Sequence, residues 1–401
     1  MNMRRTRVVI AGAGPVGSVA ASWLAQNGID VVLAEAGFDA AQDLRASTFH
    51  PPTLEMLDEL GVTEELIAMG LKAPIYHWRD RASGETIEFD LSELSDITKY
   101  PYRLQCEQYH LARMLSGRLE KQQNAEVLFD HRLVHFEEDL DGIDVYFESA
   151  LAIEKIRADF LIGADGASSI ARKWLGIEFD GFTYPERFLT LSTTYPIENA
   201  LPGLAYVNYV SDPDEWQVLL RVPSVWRVLV PAHEEDAETL LSDAKKNAVF
   251  DGIMGDGSQV ETAHRTIYRV HQRVAKQFRK GRVLLVGDAA HLNNPLGGFG
   301  MNSGIHDAVN ACQKLLRILK GQDLDPSATL DLYDRQRRTV TYDFTQRQTM
   351  ENMQLMRGGQ QEAHVLRRKA MEATAADADK RRAYLIQQAM FDSLKQAASI
   401  T

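Results

Sequence analysis

Val8-Val-Ile-Ala-Gly12-Ala-Gly14-Pro15-Val16-Gly17 is the stretch on which the fold turns. Residues 7 to 11 form a continuous apolar, β-branched run, the pattern of a strand buried on both faces. A helical pattern follows from Pro15 to Gln26 and closes at Asn27-Gly28, after which Asp30-Val-Val-Leu-Ala-Glu35 reads as a second buried strand. Strand, glycine turn, helix and strand within about thirty residues make a βαβ unit, which lifts a glycine pattern from coincidence to a dinucleotide-site hypothesis. Gly12 permits the tight turn, Gly14 lets backbone approach a pyrophosphate, and Gly17 lets helix pack closely on strand. Pro15 and Val16 open a helix whose N-terminus favours anions. Glu35, followed by Ala36, stands where a carboxylate accepts from the hydroxyls of an adenosine ribose. The bland alternative is a glycine-rich connection that binds nothing.

Two later segments carry the same kind of chemistry. Phe160-Leu-Ile162 leads into Gly163-Ala-Asp165-Gly166-Ala-Ser168-Ser-Ile-Ala-Arg172, and Val283-Leu-Leu-Val286 leads into Gly287-Asp288-Ala-Ala-His291 and Pro295-Leu-Gly297-Gly298-Phe-Gly300-Met301-Asn302. Asp288 suits the hydroxyls of a ribityl chain, and Ala289 and Ala290 leave room for it. Gly297, Gly298 and Gly300 bring bare backbone to the start of a helix predicted from about Met301 to Leu319. That terminus favours negative charge on a flavin pyrimidine edge. All three motifs in this order point to FAD. Read alone, Asp165-Gly166 is a turn capping a helix, with Arg172 in a surface ion pair.

Composition sets the outer limits. The chain has 401 residues, 45% hydrophobic and 25% charged, enough for two domains with real cores. A formal charge of −12 and a pI near 5.4 argue against nucleic-acid or anionic-membrane partners. Cys106 and Cys312 are too few for a disulfide framework and suit a reducing cytoplasm. No His/Cys/Asp cluster stands at metal-ligand spacing, and no apolar run is long enough to span a bilayer. Residues 180 to 272 change character to antiparallel strand patterns, including Leu204–Val210, Trp216–Arg221 and Trp226–Val230. The predicted division is a discontinuous FAD-binding domain (1–72, 101–179 and 273–325), a substrate-binding β-sheet domain (73–100 and 180–272) and a C-terminal helical segment (326–401). Pro52 to Met69 reads as one amphipathic helix. The C-terminal helices are expected to cap the FAD domain, with a subunit contact as the alternative, so a monomer or a homodimer is expected.

The motifs, their order and their spacing resemble the single-component FAD-dependent aromatic hydroxylases, the p-hydroxybenzoate hydroxylase family or group A flavoprotein monooxygenases, over residues 7 to about 340. The resemblance implies an α/β fold: a Rossmann-like FAD-binding domain of the glutathione-reductase type, an inserted mainly antiparallel sheet and C-terminal helices. It places Arg45 near the pyrophosphate and the nicotinamide route, Gln108 against the ribityl or phosphate region with Gln105 as a weaker competitor, and Val134 among the FAD contacts. Asp165, Gly166 and Arg172 fall in a segment serving both FAD and NAD(P)H. Gly287, Asp288, Pro295, Gly298, Gly300, Met301 and Asn302 fall at the flavin end. Two departures stand beside the expected ring: Asn294 where many relatives have a first proline, and Phe299 where Gln is frequent.

The implied activity is hydroxylation of a small phenol- or hydroxypyridine-like ring. NADH or NADPH reduces FAD, and O2 then reacts through a flavin C4a-hydroperoxide. Pocket candidates are His50, Pro295, and on the inserted sheet Tyr206, Asn208, Tyr209, Gln217, Leu219, Arg221 and Trp226, with Arg221 suited to a carboxylate and the aromatics to stacking on a ring. Taken singly, a strand aromatic is usually core and a strand Arg usually snorkels to solvent. Two rivals remain. A flavin-dependent halogenase shares the first motif, and Trp226-Arg-Val-Leu-Val-Pro231 faintly resembles its Trp-x-Trp-x-Ile-Pro signature, but position 228 is Val. The other is a redox-silent protein that binds FAD and an aromatic ligand.

Overall fold

The computed structural model describes residues 4–40, 46–212, 215–232, 236–357 and 361–401, the side chains of 361–364 excepted. Its centre is a six-stranded sheet in the order Arg279–Lys280, Val283–Leu285, Phe160–Gly163, Val8–Ala11, Val31–Ala34, Ala125–Leu128, parallel apart from its first pair. Val8–Ala11, Val31–Ala34, Phe160–Gly163 and Val283–Leu285 are buried at every position, which is why they read as unbroken apolar runs. Helices Pro15–Gln26, Gln108–Leu119 and Phe299–Leu319 pack together, and a four-stranded sheet adds Phe136, Val145, Phe147 and Ile156 to the same core. Each fully buried side chain of this size contributes about 1.5–3 kcal/mol.

The second sheet has eight strands in the order His291–Leu292, His264–Ala275, Phe179–Thr193, Trp226–Ala232, Gln217–Arg221, Val207–Ser211, Ile75–Asp80, Thr86–Asp90. Only Val207–Ser211 and Ile75–Asp80 pair in parallel. Strand alternation gives it two faces. An inner face of Trp78, Tyr209, Val218, Leu229 and Val270 meets Leu296, Met353 and Leu385. An outer face of Val210, Leu219, Trp226, Val228 and Val230 is covered by Val249 and Phe250 of the helix Asp243–Met254. The edge strand His291–Leu292 belongs to the late glycine motif, so that motif is stitched into both sheets.

Some local expectations change. The single helix expected over Pro52 to Met69 is two, Pro51–Glu59 and Thr63–Met69, because Gly61 takes φ +65° and turns the chain between them. The strand expected from Leu204 begins only at Val207. The long helix starts two residues early, at Phe299, from a left-handed Gly298 (φ +70°). The C-terminal helices do more than cap the lobe of the six-stranded sheet: Pro326–Val340 packs on Phe299–Leu319, whereas Met353, Met356, Met371 and Leu385 join the core beneath the inner face. Between these helices Thr341–Gln346 forms a wide π-type turn. No helix among the described residues is long and apolar enough to cross a membrane.

Candidate active site

The three motifs converge. A Cβ added at Gly12, which has φ +103°, would stand 2.3 Å from the carbonyl oxygen of Ala164, so the first glycine is required by the approach of the second motif. Val16 fills a notch in the third: a Cβ at Gly287 or Gly304 would come within 3.1 or 2.8 Å of its Cγ2. Arg172 closes the triangle, donating to the carbonyls of Ala289 and Ala167, both at 2.8 Å, while its guanidinium lies 3.8 Å from the centre of the Phe179 ring. The surface ion pair considered for Arg172 is therefore replaced by a buried clamp. Asp165 caps the helix Ile170–Trp174, accepting from Ala171 N at 2.9 Å and Ser169 Oγ at 2.5 Å, and Gly166 turns with φ +75°.

What this convergence leaves facing outward suits a dinucleotide. The helix Pro15–Gln26 begins at Gly14 with no side-chain cap and no acidic residue in its first turn, and a Cβ at Gly14 would meet nothing within 4 Å. The helix Phe299–Leu319 likewise begins uncapped and without acids at Gly298. Each leaves N–H groups and partial positive charge for an anion. Glu35 accepts from Ala13 N (2.8 Å) and Gly37 N (2.9 Å), which fixes its carboxylate beside the first turn with lone pairs left for a ribose. Ala36 beside it is exposed. His131 N donates to Glu35 O, and Val134 sits three residues on, at the register shift of the strand Arg132–Glu138. Gln108, half-buried, opens the helix Gln108–Leu119. Gln105 is buried, accepts from Thr48 Oγ1 at 3.0 Å and has an unpartnered Nε2; Thr48 in turn abuts Gly298. That orphaned amide lies on the Thr48 side of the Gly298 turn. These donors fit FAD: backbone N–H groups for its phosphates and ring, Glu35 for its ribose. Arg45 lies outside the described residues.

The late loop is held from behind by Asp307, which the sequence reading missed. Its Oδ2 accepts from Gly287 N (3.2 Å) and His291 Nε2 (2.9 Å), and its Oδ1 from Arg337 Nε (2.6 Å), all of them buried. Burial alone would raise its pKa; Arg337 and His291 outweigh it and hold the carboxyl below its ordinary range. Asp288 is exposed at the loop's tip. Asn294 is the loop's second anchor. Its N donates to Gln272 Oε1 (3.0 Å), its Nδ2 to Tyr184 Oη (3.1 Å) and Thr349 O (2.9 Å), and its Oδ1 accepts from Leu296 N (3.1 Å). A proline at this position would lack that N–H. Replacing Asn294 by Ala is expected to lower unfolding stability by about 2–3 kcal/mol through the polar groups it strands, measurable as a shifted urea midpoint. Pro295 beside it is exposed. Gly300 N-terminal backbone and buried Met301 begin the helix, and Asn302 staples it to the 48–50 segment by accepting from His50 N (2.9 Å) and donating to Thr48 O (2.8 Å).

His50 is fully buried, and its Nε2 donates to Gly297 O at 2.8 Å, which leaves Nδ1 as an unpartnered acceptor. Burial, then the charge of Arg103, push its pKa well below the ordinary value, so the ring stays neutral. Phe299 stacks on it at 5.4 Å and otherwise joins Val340, Phe344 and Met390, so this departure points into the tail rather than toward a pocket. On the sheet, Tyr209 lies on the inner face, but Leu219 and Trp226 lie on the outer face. Trp226 donates to Glu198 at 2.6 Å, and Arg221 donates to Val222 O (2.8 Å) with its guanidinium 6.0 Å from Trp226. Tyr206 is 42% exposed ahead of its strand. Among the described contacts, Arg221 and Trp226 bond to Val222 and Glu198 rather than to the glycine motifs. The fold also brings Cys106, Glu107 and His110 ligand atoms within 4.8 Å of one another, a grouping not seen in the sequence. Burial, with Glu107, pushes the Cys106 thiol up to about 12, which keeps it protonated.

The family described as FAD binding domain matches residues 5–348. Para-nitrophenol 4-monooxygenase of Pseudomonas sp. strain WBC-3 is 34% identical over 348 residues, 84% of each chain. The chain belongs to the FAD-dependent aromatic monooxygenases. Another member, 6-hydroxy-3-succinoylpyridine 3-monooxygenase HspB of Pseudomonas putida, is 31% identical across 88% of this chain and 89% of its own. Among solved structures, p-nitrophenol 4-monooxygenase PnpA of Pseudomonas putida DLL-E4 superposes with a TM-score of 0.91 at 28% identity, covering 98% of this chain and 99% of that one. The agreement includes the C-terminal helices, so the tail that closes the inner face is part of the architecture of this aromatic monooxygenase.

Proposed function

We propose that the chain uses NADH or NADPH to reduce bound FAD and inserts one atom of O2 into a small single-ring phenol or hydroxypyridine, the other atom leaving as water. The relatives named above act, by their names, on para-nitrophenol and on a hydroxypyridine, each a single ring bearing one hydroxyl. The observation that carries the reading is the run of contacts from the uncapped helix start at Gly298 through Thr48 and Gln105 to Arg103, whose guanidinium lies 4.2 Å from the Tyr76 ring in a buried aromatic face with Tyr209. FAD, when bound, supplies the redox chemistry and the activation of oxygen. The chain's own residues do the rest: Gly12 to Gly17 and Glu35 hold the nucleotide end, Gly298 to Met301 offer N–H groups to the ring, and His50 and Asn302 fix that turn. The inner sheet face and Met353 keep water from the reacting ring. Arg45 keeps its place by resemblance near the pyrophosphate. A cytoplasmic pool of reduced nicotinamide suits this chemistry.

The test is NAD(P)H oxidation by the FAD-loaded protein with and without 4-nitrophenol, simpler phenols and hydroxypyridines, with oxygen-18 traced into product. Substrate-triggered oxidation with one labelled atom in the ring is expected. Binding without turnover would favour the redox-silent reading, and label-free product requiring halide would favour the halogenase.

A further inference from the structure

The strand Arg103–Gln105 lies between Thr48–Phe49 and Leu71–Ala73 in a small sheet joining the lobes. Its Leu104 enters the core of the FAD lobe, so alternation sends Arg103 and Gln105 the other way. Gln105 reaches Thr48 and, through it, Gly298 at the flavin end. Arg103, about 7 Å further along the strand, lies against the aromatic wall: its guanidinium is 4.2 Å from the centre of the Tyr76 ring and its Nη1 is 3.3 Å from Tyr209 Oη. Arg103 is 1% exposed, its Nε and Nη2 have no hydrogen-bond partner, and no described carboxylate pairs with it. Tyr209 stacks on Trp78 at 4.7 Å and Tyr76 on Phe89 at 5.4 Å, so the wall behind it is rigid.

A buried guanidinium with open donors is costly unless an anion completes it. The neighbouring groups do not serve. His50 is neutral, and Tyr76 and Tyr384 are held protonated, burial being the largest cause in each case. We propose that Arg103 is the substrate anchor: Nε and Nη2 hold the ring oxygen of the phenol as its phenolate, against Tyr76 and Tyr209, while the rest of the ring extends toward the Gly298 end. The proposal rests on the hydroxyarene reading above and adds the residue that anchors and ionises the ring oxygen. The phenol proton leaves to solvent on binding, and no other bond changes. A phenolate is a more electron-rich ring, so the anchor both selects and activates the substrate. Arg103 was outside the residues singled out from sequence.

The experiment uses the oxidised, FAD-loaded protein without NAD(P)H, so that binding is read apart from turnover. With 4-nitrophenol held about one pH unit below its own pKa, the bound ligand should show the yellow phenolate band, and its apparent pKa should be lower on the protein than in water. Arg103→Gln should weaken 4-nitrophenol by about 100-fold and remove the band, yet leave the methyl ether 4-nitroanisole within about threefold of wild type. Arg103→Lys, which keeps the charge but not the fork, should retain the band with about tenfold weaker binding. A bound phenol that titrates on wild type as it does in water, or an Arg103→Gln loss equal for phenol and ether, would overturn the anchor while leaving the monooxygenase reading intact. A wild type that binds no phenol or hydroxypyridine at all would instead overturn both.

Discussion

Asp307→Asn is expected to lose about 3–5 kcal/mol of stability, because it leaves the buried Arg337 without its counter-charge. The amide accepts at one end only, so either the Arg337 bond to Oδ1 or the pair that Gly287 N and His291 donate to Oδ2 loses its acceptor as well. The Gly287–Ala290 turn then loosens, and flavin should be released at temperatures where wild type retains it, read as a rise in free-flavin fluorescence ahead of global unfolding. The pH dependence has a definite sign. A carboxyl whose folded pKa lies below its ordinary value contributes stability that is complete above about 4 and drains away as pH falls through the folded pKa. Acid unfolding of Asp307→Asn should therefore be flatter than wild type below that point. A variant as stable as wild type, with the same acid profile, would mean that Asp307 is incidental to the loop.

Alanine at Gly14 and alanine at Gly17 should fail in opposite ways. A Cβ at Gly17 would stand 1.9 Å from the carbonyl oxygen of Gly12, backbone against backbone, with Ala164 Cβ at 3.1 Å. Nothing flexible is there to yield, so Gly17→Ala should give little folded protein. At Gly14 the backbone has φ −66°, which any residue adopts, and a Cβ points into open space. Gly14→Ala should thus fold with unchanged thermal stability as apoprotein, yet bind FAD at least about 100-fold more weakly, a steric loss of roughly 3 kcal/mol. Titrating both purified variants with FAD, alongside circular dichroism, separates the cases. A yellow, tightly loaded Gly14→Ala protein would place the pyrophosphate elsewhere.

Much of the fold was legible because it is written locally. Buried parallel strands read as unbroken apolar runs, Gly12 and Gly17 are forced by backbone contacts, and Gly287 is forced by its left-handed φ of +60° against the Val16 side chain. The site was legible only where a motif lies within a few residues. Arg103 and Gln105 occupy a three-residue strand whose partners begin thirty and fifty-five residues away, too short to declare which face its side chains take. The polar, apolar, polar order Arg103-Leu104-Gln105 was the available signal. Asp307 sits mid-helix, where a charge ordinarily means solvent, and only the fold reveals Arg337 beneath it. Trp226 looked apt for a ring, but strand parity fixes spacing and not which face is covered, and Trp226 lies on the face that packs against Val249 and Phe250. Asn294 read as a departure from pattern; its five-way bonding to Gln272, Tyr184, Thr349 and Leu296 is visible only once the π-type turn brings Thr349 across.

The tail behaves as lacing. Trp78 of the sheet bonds Tyr384, Gln272 bonds Gln346 and Thr349, and Gln336 on the helix beside the flavin lobe bonds Ile400. Swinging the lobes apart as rigid halves would tear this seam along most of its length. Access for ligands must therefore come from local motion of short segments, and severing the chain after the π-type turn should unfasten the chamber without touching any glycine that grips the nucleotide.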